Sequence, residues 1–489
     1  MRRIEKKRKT HMQLHTLTGR PETSAIVAQT VEYTAQCIVE IELAGPLPLI
    51  SGVDEKTGYH YQLARCLVRL HTRPLGLVEF QLAEGPASPY EYIQHIWGTL
   101  AVQINEHLQQ DGLPPVTDLD AAGLPRPSTP RCIEEREAFF SHAPFVSVIV
   151  PTRDRPERIQ LCLQALLALH YPQYEIIVVD NAPSTSATAD FIQQSYRNEP
   201  QVRYVCENRP GGSWARNRGI MEARGEILAF TDDDIVVDAN WLVELVRAFS
   251  LADNVACVTG LLLPLELETP AQFWLEEYGG FSMGFNRRVF DMMKNHPQTP
   301  MHPYTTGQFG SGASMAFTSA FLRRVGGFDP ALGPGSPARG GEELALFFQT
   351  VTQGYKLVYE PASVAYHPHH REYADLRRQI YNYGVGLSAY LMKNLFDNPR
   401  LLFDFATRIP HGLYFALSPY SSKNRKKSAR YPRELKRLEL LGMLHGPFAY
   451  LRSRWTIARA RKSPVQSKAR MALPTEKEIE DDEKIASVD

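Results

Sequence analysis

The sequence predicts an α/β sandwich around a mostly parallel sheet, preceded by a small β-rich module and followed by a helical, basic segment. Three observations predict it. From Phe145 onward, short runs rich in Val and Ile alternate with stretches of helical apolar period, as βαβ units do. The run EILAFTDDD ends a wholly apolar strand in Asp232, Asp233 and Asp234, as expected of a strand buried on both faces whose carboxyl edge meets a ligand. The first two strands also run into loops rich in Pro, Asp and Asn, PTRDRPER and VVDNAPS, at that same edge.

Taken in order, residues 1–29 open on the basic stretch MRRIEKKRKT and lack the apolar run of a signal peptide. They are expected to be disordered. Residues 30–125 form the small module: CIVEIEL, YHYQLARCLVRL and GLVEFQL read as strands. Ile93, Ile96, Trp97, Leu100 and Ile104 mark a helix from about Tyr90 to Gln110. A Pro/Gly-rich connector, GLPPVTDLDAAGLPRPSTP, leads to the main domain, residues 145–372. There VSVIV, YEIIVVD, VRYVC and ILAFT are strands separated by helices near 157–169, 187–196 and from GGSWARNRG. The helix WLVELVRAF follows, then strands VACVTGLLLP and SGASMAFT, the helix EELALFFQTVTQG, and the strands KLVYE and SVAYH. A long amphipathic helix from about Tyr373 to Phe396 opens a helical, basic segment over 373–470, and 471–489 form an acidic, disordered tail.

Composition bounds the function. The chain has 489 residues, 43% hydrophobic and 22% charged, with 54 basic and 54 acidic side chains. No global field recruits nucleic acid, and no nucleic-acid module accompanies the local charge. The six cysteines lie far apart without a CxxC pair, which predicts buried free thiols in a reducing, cytoplasmic compartment. LLFDFATRIPHGLYFAL carries Asp404, Arg408, Pro410 and His411 and does not span a bilayer. From Ser421 to Arg470 fifteen Lys or Arg face only Glu434 and Glu439. With LELLGMLHGPFAYLRSRW this suggests a peripheral contact with an anionic membrane, on its inner face; the competing reading is a solvated basic arm.

Several groups converge on the carboxyl edge. Pro151, Thr152 and Arg153 in the first loop and Asp180 and Asn181 in the second suit a nucleobase and ribose, although each alone is ordinary turn chemistry. Glycines opening a helix ahead of Arg216 suit phosphate oxygens. Adjacent carboxylates repel one another, a cost offset where a divalent cation and its phosphate ligand sit, with Asp232 and Asp234 as candidate ligands. His367 in AYHPHH is a further candidate ligand. Glu342 and Glu343 start a helix after a Gly/Pro-rich loop, where the helix dipole alone would favour them; an acid on a loop facing a metal–phosphate site also meets the needs of a general base. Trp274, Tyr278 and Phe281 in the aromatic insert over 266–306 suit sugar or lipid stacking, with plain packing the favoured reading.

The order VSVIVPTRDR, EIIVVDN, GGSWARNRG, GEILAFTDDD, SGASMAFTSAFLRRVGGFDPALG, GGEEL and HPH resembles the inverting glycosyltransferases of family 2, with the GT-A fold, over Phe145 to His370. The resemblance implies Asp180 and Asn181 beside the nucleobase, Arg216 near the pyrophosphate, and Asp232 and Asp234 as a metal-binding DxD with Asp233 alongside. It implies Mg²⁺ or Mn²⁺, a UDP-, GDP- or dTDP-sugar donor, and a glycan, lipid-linked or small-molecule acceptor. The family usually carries Glu-Asp where this chain has Glu342-Glu343, with the Asp as base, so Glu343 takes that role here. A further acid often follows two positions on, and here it is Ala345. The competing function is a catalytically inactive GT-A-like module that binds a nucleotide or glycan. A nucleotidyltransferase would want a Gly-rich loop after the first strand, and PTRDRPER has no glycine.

Overall fold

The computed structural model describes residues 33–461, apart from 56, 84, 125–127, 298, 422 and 426. The expected disordered termini, 1–29 and 471–489, lie outside the described residues. Strands β1 (Gln36–Glu42), β2 (Leu63–Leu70) and β3 (Arg73–Gln81) form a separate sheet, β1 parallel and β3 antiparallel to β2. Helix α1 (Pro89–Gln110) starts with a Ser88–Glu91 capping box and lays Tyr92, Ile96, Leu100 and Ile104 on Val68, Val78 and Phe80. A short helix, α2 (Arg131–Phe139), leads into the main domain.

That domain runs β4 (Val146–Thr152), α3 (Pro156–Leu167), β5 (Tyr174–Asn181), α4 (Ala187–Ser195), β6 (Val202–Glu207), α5 (Gly212–Glu222), β7 (Ile227–Thr231) and β8 (Val236–Val237). It continues through α6 (Trp241–Arg247), β9 (Val255–Pro264), α7 (Pro270–Tyr278), β10 (Arg288–Phe290), β11 (Ser314–Thr318), α8 (Ser319–Val325), α9 (Glu342–Thr352) and β12 (Lys356–His367). The sheet order is β10-β12-β9-β11-β7-β4-β5-β6, with β8 on β12. β6, β5, β4, β7, β9 and β12 run one way, while β11 lies antiparallel between β7 and β9. This is the mostly parallel α/β sandwich expected. Val, Ile and Leu on both faces explain the continuous apolar runs: Ile159, Leu163 and Trp241 cover one face, and Phe317, Phe321 and Phe347 the other.

One boundary differs from the sequence reading. KLVYE and SVAYH are a single strand, β12, with a register irregularity between Glu360 and Val364. Pro361 has no N–H to give the ladder, so the strand bulges there rather than ending.

The chain then folds back through three helices, α10 (Tyr373–Asp397), α11 (Leu401–Leu417) and α12 (Arg433–Arg461). α10 and α12 touch backbone to backbone. A Cβ on Gly384 would lie 2.1 Å from the Glu439 carbonyl oxygen, and one on Gly442 2.2 Å from that of Tyr381. Only glycine permits that approach. The expected interfacial helix is thus half committed: Leu435, Ala449 and Tyr450 are buried, while Leu444, Phe448 and Trp455 stay exposed. None of the α11 residues is buried. No helix among the described residues is long and apolar enough to cross a membrane.

Candidate active site

The carboxyl ends of β4, β5 and β7 open into a cleft of about 2100 Å³, walled on the far side by α10 and α11. Pro151, Thr152, Arg153, Asn181, Arg216, Asp232, Asp233, Asp234, Glu342, Glu343 and His367 all line it. Residues 192 positions apart, from Pro151 to Glu343, meet here because parallel strands end on one edge.

Arg216 organises the centre. Its guanidinium is 5% exposed and donates from Nη1 to Glu342 Oε1 at 2.7 Å and from Nη2 to Asp232 Oδ1 at 2.8 Å. One arginine therefore ties the acidic turn after β7 to the first turn of α9. Arg216, expected near the pyrophosphate, lines the cleft with both of these ion pairs made to the protein's own acids. The amino terminus of α5 is likewise engaged, since the Gly212 N–H donates to the Pro334 carbonyl at 2.8 Å.

The three aspartates divide. Asp233 is buried; Thr152 Oγ1 donates to its Oδ2 at 2.7 Å, and Arg155 lies 3.7 Å from Oδ1. Burial, then the neighbouring Asp234 charge, push its carboxyl up to about 6. Asp232 and Asp234 are half-buried and face the cleft, Asp234 with a long contact of 3.5 Å to the exposed Arg158. His367 stands half-buried beside Phe281, ring centroids 5.0 Å apart, and its buried Nδ1 has no hydrogen-bond partner. Two carboxylates and an unpartnered imidazole nitrogen are donors of the kind a divalent cation takes, but among the described residues these three do not gather within 4.8 Å of one another. The other two histidines separate from it: His369 Nε2 pairs with Glu276 at 3.0 Å, and His370 is exposed at the rim.

Glu342 and Glu343 have different fates. Glu342 is buried and held by Arg216. Glu343 is half-buried on the cleft wall, and burial together with the Glu342 charge pushes its carboxyl up to about 8. Gly341 fixes the turn into α9: its φ is +87°, and a Cβ there would lie 2.5 Å from the Gly386 carbonyl oxygen of α10. Ala345 is buried among Tyr304, Phe348 and Tyr390, so an acid at that position would point into the core rather than the cleft.

Asp180 and Asn181, expected beside the nucleobase, have different surroundings. Asp180 is fully buried and is not on the cleft wall; Tyr204 donates to its Oδ2 at 3.0 Å. Asn181 lines the cleft with both ends of its amide engaged. It donates to the Arg209 carbonyl at 2.8 Å and accepts the Gly211 N–H at 2.7 Å, bracing the loop before α5. The insert aromatics divide too: Trp274 packs in the core, while Tyr278 and Phe281 line the cleft. Sequence reasoning missed the α10 wall, Gln379, Asn382 and Tyr383. It also missed an apolar strip of Phe405, Ile409 and Leu413 on α11, facing Leu440 and Met443 of α12. The spacing 405, 409, 413 is one helical face and was readable, but nothing local said what it would face.

Comparison with known proteins places the same segment. Residues 147–308 match the model of Glycosyl transferase family 2. Glycosyltransferase AglE of Haloferax volcanii is 39% identical over 113 residues, 22% of this chain and 37% of that one. The pre-mycofactocin glycosyltransferase of Mycobacterium tuberculosis is 23% identical over 231 residues, 47% of this chain and 44% of that one. The chain thus spans less than two thirds of the length of these relatives. A mannosyltransferase from Pyrobaculum calidifontis, solved with GDP-Man and Mn²⁺, superposes with a TM-score of 0.36 at 19% identity, over 68% of this chain and 79% of that one. The matched segment carries β4 through β9 and the acidic turn between β7 and β8, and over that segment this chain is similar to glycosyl transferase family 2.

Proposed function

We propose that the protein transfers a sugar from a nucleotide-sugar to an acceptor hydroxyl in a single, inverting displacement assisted by a divalent cation. The observation that carries this reading is the division of the two glutamates. Arg216 takes Glu342, leaving Glu343 on the cleft wall with a raised affinity for a proton. Asp232, Asp234 and His367 would hold the cation, which when bound offsets negative charge on a diphosphate leaving group. Thr152 positions Asp233, and Asn181 braces the loop beside the donor. Glu343 removes the acceptor proton at its carboxylate, and the hydroxyl attacks opposite the diphosphate, which inverts the anomeric centre. No covalent enzyme intermediate is needed. Release of nucleoside diphosphate across UDP-, GDP- and dTDP-sugars, with and without Mn²⁺, tests the reading. Tight nucleotide binding without transfer to any acceptor would replace it with a binding module.

The acceptor we favour is lipid-linked, docked from a membrane surface. The apolar strip on α11 joins the cleft to exposed Phe403, Leu413, Leu444 and Phe448, beside the basic α12. The full chain is expected to float with anionic liposomes at low salt, and Phe403→Glu combined with Leu444→Glu to float poorly while remaining folded. Equal recovery of the two forms would count against membrane docking. A cytoplasmic location on the inner membrane face follows from the same reading.

A further inference from the structure

A second cluster lies far from the cleft, in the N-terminal module. Among the described residues, His71, His107, Asp111 and Cys132 form the one His/Cys/Asp/Glu group whose ligand atoms all lie within 4.8 Å of one another, and all four residues are buried. Asp111 Oδ2 is 2.6 Å from His71 Nδ1, 3.1 Å from His107 Nε2 and 3.0 Å from Cys132 Sγ, and the two imidazole nitrogens are 3.1 Å apart. Two imidazole nitrogens and a thiol thus gather on one carboxylate oxygen.

We propose that these four residues form a closed, structural zinc site that fastens the N-terminal module to the entrance of the transferase domain. The donor set is mixed nitrogen, sulfur and oxygen, which suits zinc, and four protein ligands leave no open position for catalysis. Zinc bonds of about 2.0–2.3 Å give tetrahedron edges of roughly 3.3–3.6 Å, so the contacts of 3.0–3.1 Å need open by only a few tenths of an ångström and the 2.6 Å Asp111–His71 contact by roughly 0.7–1.0 Å to admit the ion. His107 and Asp111 stand one turn apart at the end of α1, a spacing that puts both on one helix face. Cys132 opens α2, and its N–H donates to Asp111 Oδ1 at 3.0 Å, an outer bond that orients the carboxylate. His71 sits in the two-residue turn between β2 and β3. There His71 and Thr72 both adopt left-handed φ, 53° and 71°, where Asn-Gly would be relaxed. Glu42 accepts both turn amides, at 2.9 and 2.8 Å, and holds the imidazole inward. A cavity of about 200 Å³ between the module and α6 reaches His107, Asp111 and Cys132 and provides an entry path.

The test is metal content of the full chain, purified after growth with zinc and passed over a weak chelating resin. About one zinc per chain is expected, retained in Asp234→Ala, which alters only the cleft, and largely lost in Cys132→Ser and His107→Ala. Replacement by Co²⁺ should give tetrahedral d–d absorption and a thiolate-to-cobalt charge-transfer band, the latter lost in Cys132→Ser. A strong chelator should lower the unfolding temperature of the native chain. Native chain with far less than one zinc and no charge-transfer band on adding Co²⁺ would overturn the proposal, leaving a metal-free hydrogen-bonded tetrad. So would Cys132→Ser with unchanged zinc and spectrum. Should the variants fail to fold, stoichiometry and spectrum of the native chain still decide.

Discussion

Glu343→Gln is expected to bind donor and cation as the native chain does and to transfer sugar about 100- to 10,000-fold more slowly in a single turnover. The amide keeps the shape of the side chain and cannot take the acceptor proton. Glu342→Gln is the informative contrast. Its carboxylate accepts from Arg216, so its loss should act on donor-side architecture and stability more than on the proton transfer. Glu343→Asp should retain measurable transfer, since the family places Asp there, with a penalty because reach shortens by about one bond. The pH profile separates the roles further. A base works ionised, and burial raises the Glu343 carboxyl to about 8. Transfer by the native chain should therefore climb as pH rises through a value above the ordinary carboxylate range, and Glu343→Gln should lose that rising limb. Near-native transfer by Glu343→Gln would move the base elsewhere, to Glu342 first.

Asp234→Ala is expected to abolish cation-dependent nucleotide binding while leaving the fold intact. The side chain faces the cleft and pairs with the exposed Arg158 at 3.5 Å, a surface pair worth about 1 kcal/mol or less. Its removal also relieves repulsion of the Asp233 and Asp232 carboxylates. Calorimetry with UDP and Mn²⁺ reads the binding, and thermal unfolding reads the fold. Unchanged affinity would remove Asp234 from the cation site. Asp233→Ala should behave differently, because it strips a buried acceptor from Thr152 and should destabilise as well as weaken binding.

The sheet was largely legible in the sequence because its physics is local. Strands such as Val146–Thr152 and Ile227–Thr231 carry their two-sided burial as continuous apolar runs, and helices such as Pro156–Leu167 carry theirs as a period. What escaped depends on partners distant in the chain. Ser314–Thr318 reads as a strand, yet its antiparallel place between two parallel neighbours leaves no local mark. Arg216 reads as a phosphate ligand, but its bond to Glu342, 126 positions on, leaves no local mark. Asn181 looks available until the Arg209–Gly211 loop claims its amide. The His71–Cys132 cluster escaped for a similar reason. The ligands come from a turn, the end of one helix and the start of another, and no short spacing motif joins them.

The glycine contact between α10 and α12 has a mechanical consequence. Where Gly384 meets the Glu439 carbonyl and Gly442 that of Tyr381, no side chain stands between the two helices to flex or change rotamer. The pair moves as one stiff beam. Its inner side presents Gln379 and Tyr383 to the cleft, and its outer side exposes Phe448. A displacement of the outer side is therefore expected to reach the cleft wall formed by Gln379 and Tyr383.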